Sequence, residues 1–161
     1  MLSKDTRLAD YVSCLYPRPG VESLLLRLQN ERDLDVLLLL AACWLGCGGR
    51  PATVADWRAI CAWQSPWHQQ IIGPLRAARI AVRGLGGDGE LYVLLKESEQ
   101  GAEWFQLARL EAECLRLIPA DDAEPDCLQH LVSCCVGQGV AVSEALRAQL
   151  QELAERATDN N

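Results

Sequence analysis

Arg76, Arg79 and Arg83 stand at the i, i+3, i+7 spacing that places side chains along one shoulder of a helix. A guanidinium is a planar fork of donors that matches a carboxylate or phosphate two bonds at a time. Three of them on one shoulder repel each other unless something anionic answers. Two answers are open: internal carboxylates such as Glu103, Glu111 or Glu113, or a carboxylate- or phosphate-bearing partner. Trp67 and His68, just upstream, would flank such a pocket. No Ser or Cys nucleophile is placed beside His68 by the sequence, so no catalytic residue is assigned and an enzyme is not expected.

Other chemistries have weaker support. The glycine cluster Gly84-Leu85-Gly86-Gly87-Asp88-Gly89 follows a basic amphipathic helix, whereas a phosphate-binding loop needs a buried strand before it and a helix N-terminus after it. It reads as a linker. Asp121-Asp122-Ala123-Glu124-Pro125-Asp126 is a single acidic run broken by proline, so it reads as a solvated loop rather than a magnesium site. The eight cysteines sit within apolar helical patterns and read as small buried hydrophobes. No C-x-x-C or H-x-x-x-H pair occurs, and no metal or cofactor is expected.

The elements that position these residues are helices. Leu8, Tyr11, Val12 and Leu15 have helical spacing over Thr6 to Tyr16, and Pro17 stops that helix. Pro19 is placed to open a second helix running to about Glu31, with Val21, Leu24, Leu25 and Leu28 as its apolar stripe. Asp33 or Asp35 caps a third, Val36 to Cys47, apolar on every side and so buried all round; Gly46, Gly48 and Gly49 are expected to end it.

Thr53-Val54-Ala55-Asp56 has the form of a capping box, Ser65-Pro66 is expected to restart or kink the helix it opens, and Gly73-Pro74 to bend it. Beyond that bend Ile71, Leu75, Ala78 and Val82 form the expected core seam. Glu90 to Ile118 reads as one long or twice-broken helix with a weak point near Gly101. Helices from Pro125 to about Val136 and from the Ser143 cap onward complete the chain, giving one domain over 1–157 and a frayed tail over 158–161.

The 161 residues suffice for a core without metal or disulfide support. Net charge is −7, unevenly held: residues 1–98 carry 11 basic and 10 acidic groups, residues 99–161 carry 4 and 12. Such a balance argues against nucleic acid as a partner. The N-terminus lacks the basic and apolar segments of a signal peptide, and Val36 to Cys47 is short of a membrane span. A cytoplasmic protein with no membrane partner is the expectation.

Leu15-Tyr16-Pro17-Arg18-Pro19-Gly20-Val21-Glu22, then Leu28-Gln29, Leu34-Asp35-Val36, Leu38-Leu39-Leu40 and Trp44-Leu45-Gly46, form one block. With Trp67-His68, Pro74-Leu75-Arg76-Ala77-Ala78-Arg79 and Leu110-Glu111-Ala112-Glu113, it resembles a small proteobacterial family known as a domain of unknown function. The likeness covers about Leu8 to Leu117 and departs at Ile80, where the family pattern often has a basic residue. It implies a bacterial, helical, cytoplasmic protein and implies no reaction. The resulting expectation is an all-α bundle of about six to eight helices around a buried third helix. The expected role is a non-enzymatic interaction or regulatory module with a protein partner. A small helical enzyme or ligand binder, gathering an anionic substrate at Arg76, Arg79 and Arg83 beside Trp67 and His68, is the alternative.

Overall fold

The computed structural model describes residues 2–87, 89–119 and 121–159. Leu8, Tyr11, Val12 and Leu15 turn one face of α1 (Leu8–Leu15) into the core, and all four are buried. The chain then turns through Gly20, whose φ of 79° favours a residue without Cβ, and α2 (Val21–Arg32) opens at Val21. Pro19 does not begin the helix as expected, because Gly20 takes the N-cap position. Asp35 caps α3 (Val36–Cys47) by accepting from the Leu37 amide at 2.9 Å.

The Thr53–Asp56 capping box forms in full and starts α4 (Val54–Trp67). Neither proline breaks the rod of helix beyond it. Pro66 lies inside α4, and a π-helical segment (His68–Ile72) leads directly into α5 (Gly73–Gly84), with Pro74 in its first turn. The wider turn absorbs the change of hydrogen-bond register, the Gly73 amide donating to the His68 carbonyl. A proline in a first turn also sits where a missing donor costs least.

The longest helix, α6 (Glu90–Leu117), runs unbroken through Gly101, since a lone glycine costs only about 1 kcal/mol in a helix and packing outweighs it. Asp126 caps α7 (Cys127–Gly137), and Ser143 caps α8 (Glu144–Thr158). Thr158 belongs to that last helix, its hydroxyl donating to the Ala154 carbonyl at 2.9 Å, so the helix passes the boundary expected at 157. Asn160 and Asn161 of the expected frayed tail lie outside the described residues.

Among the described residues there are thus eight α-helices and no strand, or seven helices when α4, the π segment and α5 are counted as one rod. They make a single-domain all-α bundle around α3. Every residue from Leu37 to Cys47 is buried, and α1, α2, α6, α7 and α8 all pack against this helix. Gly46, expected at its end, lies inside it. A Cβ there would stand 2.6 Å from Cys127 Cα, so the glycine is what lets α7 cross so closely.

The rod leaves the core at its far end. No residue of α5 is buried, and α5 packs mainly on α6 and the π segment. Of the expected seam, Leu75, Ala78 and Val82 are half-buried and Ile71 is exposed; Ile72 takes the buried place instead, because the π turn rotates the face presented inward. α5 and the first half of α6 therefore form a two-helix arm lacking a third layer. No helix of the described residues is long and apolar enough to cross a membrane.

Candidate functional site

The arginine stripe faces along this arm toward α6. Arg76 donates Nε–H to Glu99 Oε1 at 2.9 Å and an Nη to Glu103 at 3.4 Å, and Arg79 donates Nε–H to Glu99 Oε2 at 2.6 Å. The Gln29 amide, with its oxygen turned toward the guanidinium, also accepts from Arg76 at 3.0 and 3.1 Å. The internal answer is therefore Glu99, a residue that no sequence pattern singles out, together with Glu103. Glu111 accepts from the Leu8 amide and Arg7, and Glu113 pairs with Arg116.

Glu99 is only 6% exposed and takes both guanidiniums, which the helix spacing of 76 and 79 brings to its two oxygens. The hydrogen bond that Arg79 donates to Glu99 holds Arg79 above the usual arginine range. Burial first, and Glu99 second, push the Glu103 carboxyl up. Arg83 is answered by an aromatic ring: it donates to the Tyr92 hydroxyl at 3.2 Å and lies over that ring at 4.9 Å.

Beside these residues lies a cleft of about 810 Å³ between the arm and α1–α3. Arg76, Arg79, Arg83, Tyr92, Lys96 and Glu103 line it, with Tyr16 and Leu25 across from them. Among the described residues, Arg83 and Lys96 at its outer end are the cations of the cleft that no carboxylate answers.

Trp67 and His68 do not line that cleft. Trp67 packs on Phe105 at 5.4 Å between ring centres, and Arg109 lies 5.4–5.8 Å from the rings of Trp63, Trp67 and Phe105. His68 turns the other way, its Nδ1 3.3 Å from Asp35 Oδ2, in a separate cleft of about 540 Å³ that Arg58, Ser65 and Gln138 also line. The two residues expected to flank the arginines thus face different neighbours, Trp67 toward Phe105 of α6 and His68 toward Asp35.

Asp35 begins a buried polar chain that no sequence motif marks. Its Oδ2 accepts from Gln64 at 3.1 Å, Gln64 accepts from Gln106 at 2.7 Å, and Gln106 accepts from Arg109 at 3.2 Å. Gln64 is 0% and Gln106 1% exposed, and each amide finds partners, as burial demands. The available signal was Gln64 itself, a polar residue on the apolar face of α4 that otherwise presents Trp57, Ile60 and Cys61.

Arg18, from the proline turn, is a second residue the pattern left unassigned. One Nη donates to the carbonyls of Arg156 and Asp159, both at 2.8 Å, and Ala157 at 3.2 Å, so it caps the C-terminus of α8.

The thiols offer little nucleophilic chemistry. Burial pushes Cys114 and Cys135 up to about 12, hydrogen bonding to Cys127 and then burial push Cys47 up, and Cys14 is the exposed one. Among the described residues no group of three or more His, Cys, Asp or Glu side chains is arranged to hold a metal ion. Asp122 of the acidic loop pairs with Lys4.

A further feature is apolar and half-exposed, although Phe105 keeps one side on Trp67 and Trp104 borders the cleft. Leu94 and Phe105 are 59% exposed, Trp104 50% and Leu115 41%, and with exposed Gly101, Ala108 and Ala112 they occupy the outer face of α6. Ile80, Leu85 and Leu91 are further exposed apolar residues on the arm.

Residues 7–110 match the model of a family described as "Protein of unknown function (DUF2390)", and the chain belongs to that family. No curated protein and no solved structure matches it.

Proposed function

We propose that this family member is a non-enzymatic protein-interaction module, working in the bacterial cytoplasm, whose contact surface is the outer face of α6 and the adjoining arm. The observation that carries this reading is the exposed run Leu94, Trp104, Phe105 and Leu115 on one helix face. Contiguous exposed apolar surface of this kind is expensive to hydrate and marks contact sites on soluble proteins. The test is capture of specific partners from a lysate by the tagged chain. Ala108→Glu adds a charge at an exposed position in the middle of the face without touching the core. Loss of the captured protein with this variant supports the reading; capture unchanged by Ala108→Glu removes the α6 face from it.

The cleft supports a second reading, a site for an anionic ligand, and Arg83 and Lys96 are the observation that favours it. Arg76 and Arg79 contribute less, because Glu99 and Glu103 already take their charge. Titration calorimetry with inorganic pyrophosphate tests it. Heat that disappears in an Arg83→Gln and Lys96→Gln double variant supports an anion site, and no heat with the unaltered chain removes it.

A further inference from the structure

We propose that the outer face of α6 pairs antiparallel with the same face of a second copy of this chain. This rests on the reading of that face as a contact surface and names its occupant.

Positions 94, 101, 108 and 115 recur every seven residues, and 104, 105 and 112 lie beside them. At 100° per residue all seven fall within roughly 100° of arc, a single stripe along α6. Apart from Ala112, whose mirror position is Glu97, the stripe has the same order from either end: leucine, small residue, aromatic, aromatic, small residue, leucine. These are Leu94, Gly101, Trp104, Phe105, Ala108 and Leu115.

A two-fold contact requires a surface that complements itself. With the axis between Trp104 and Phe105, Leu94 comes level with Leu115 of the second copy and Gly101 with its Ala108. The small residues leave room for the two helices to approach, and the aromatic rings of both copies meet at the axis.

Charge and area agree with this pairing. The chain carries −7, so copies repel over most of their surface, yet along this stripe Glu97 is the one carboxylate between Leu94 and Leu115 that shares the arc. In the antiparallel register Glu97 comes level with Ala112 of the second copy rather than with another carboxylate. Half-exposed aromatic rings and leucines, with three small residues, give roughly 500 Å² of accessible surface per copy. Two copies then bury about 1,000 Å², the size of a reversible, concentration-dependent dimer.

Single-cysteine cross-linking reads the register directly. In a Cys14→Ser background, which removes the exposed native thiol, Leu94→Cys and Leu115→Cys are introduced separately at exposed positions. Under mild oxidation a mixture of the two variants should give a disulfide dimer several-fold faster than either alone. Faster self-linking of Leu94→Cys means parallel pairing and overturns the proposal, as does equal, slow linking in all three samples. If linking is slow but Ala108→Glu still abolishes capture of another protein, the contact-surface reading stands and only the second copy falls. If neither effect is seen, both fall.

Discussion

Arg76 donates its Nε–H to Glu99 at 2.9 Å across the arm, and the other oxygen of that carboxylate takes Arg79. An arginine row that could have faced a ligand is therefore a staple between α5 and α6. This changes what its variants report. Arg76→Glu with Arg79→Glu would crowd carboxylates around Glu99 and loosen the arm, so loss of a partner in that variant would not locate an interface.

Glu99→Gln should destabilise the fold by about 2–3 kcal/mol, since it leaves two guanidiniums without their shared buried acceptor charge. Arg83→Gln, which among the described residues loses a tyrosine contact, should cost less than about 1 kcal/mol. Urea unfolding of the two variants checks the order; equal costs would contradict the staple.

Gln64→Leu should cost about 2–4 kcal/mol despite its apolar replacement. It strips a donor from Asp35 and an acceptor from Gln106 inside the core. A double-mutant cycle with Gln106→Leu should show coupling of about 1 kcal/mol or more. Additive losses would mean the two amides act independently.

His130 links stability to pH. Its Nδ1 accepts from the Trp57 indole at 3.3 Å while Nε2 donates to the Arg50 carbonyl at 2.7 Å, so the ring is held neutral, and burial holds its pKa below the ordinary value of 6.5. The unfolded chain then binds the proton more readily. The stability due to this histidine is full above pH 6.5 and is lost as pH falls through the folded value. Chemical denaturation at about pH 5 and pH 7 should show a drop that His130→Gln reduces; an undiminished drop would place the titration elsewhere.

Ellman's reagent should find one fast thiol in the native chain, Cys14, and all eight in denaturant. Several fast native thiols would show that the apolar core around α3 opens readily.

The helices and their caps were legible because their causes are local. Asp35, Thr53 and Ser143 cap as their residue types foretell, and the apolar pattern of α3 gives its burial. What escaped depends on residues distant in sequence. Arg18 caps a helix more than a hundred residues away, Glu99 draws the arginines inward, and Gly46 serves a crossing helix rather than its own end. The π segment was hidden because prolines signal a lost hydrogen bond without saying whether the chain breaks or widens its turn. On the arm, helical spacing suggested a buried seam, but spacing cannot reveal that no third layer covers it.

A contact surface on the outer face of α6 that takes a second copy makes the mass of the chain depend on its concentration. Sedimentation equilibrium of the full chain over a roughly hundredfold concentration range tests it most directly. The weight-average mass of the unaltered chain should climb from 17.7 kDa toward twice that value, while Ala108→Glu stays at 17.7 kDa with unchanged helicity. A mass fixed at 17.7 kDa for both chains, or an equal climb in both, would contradict it.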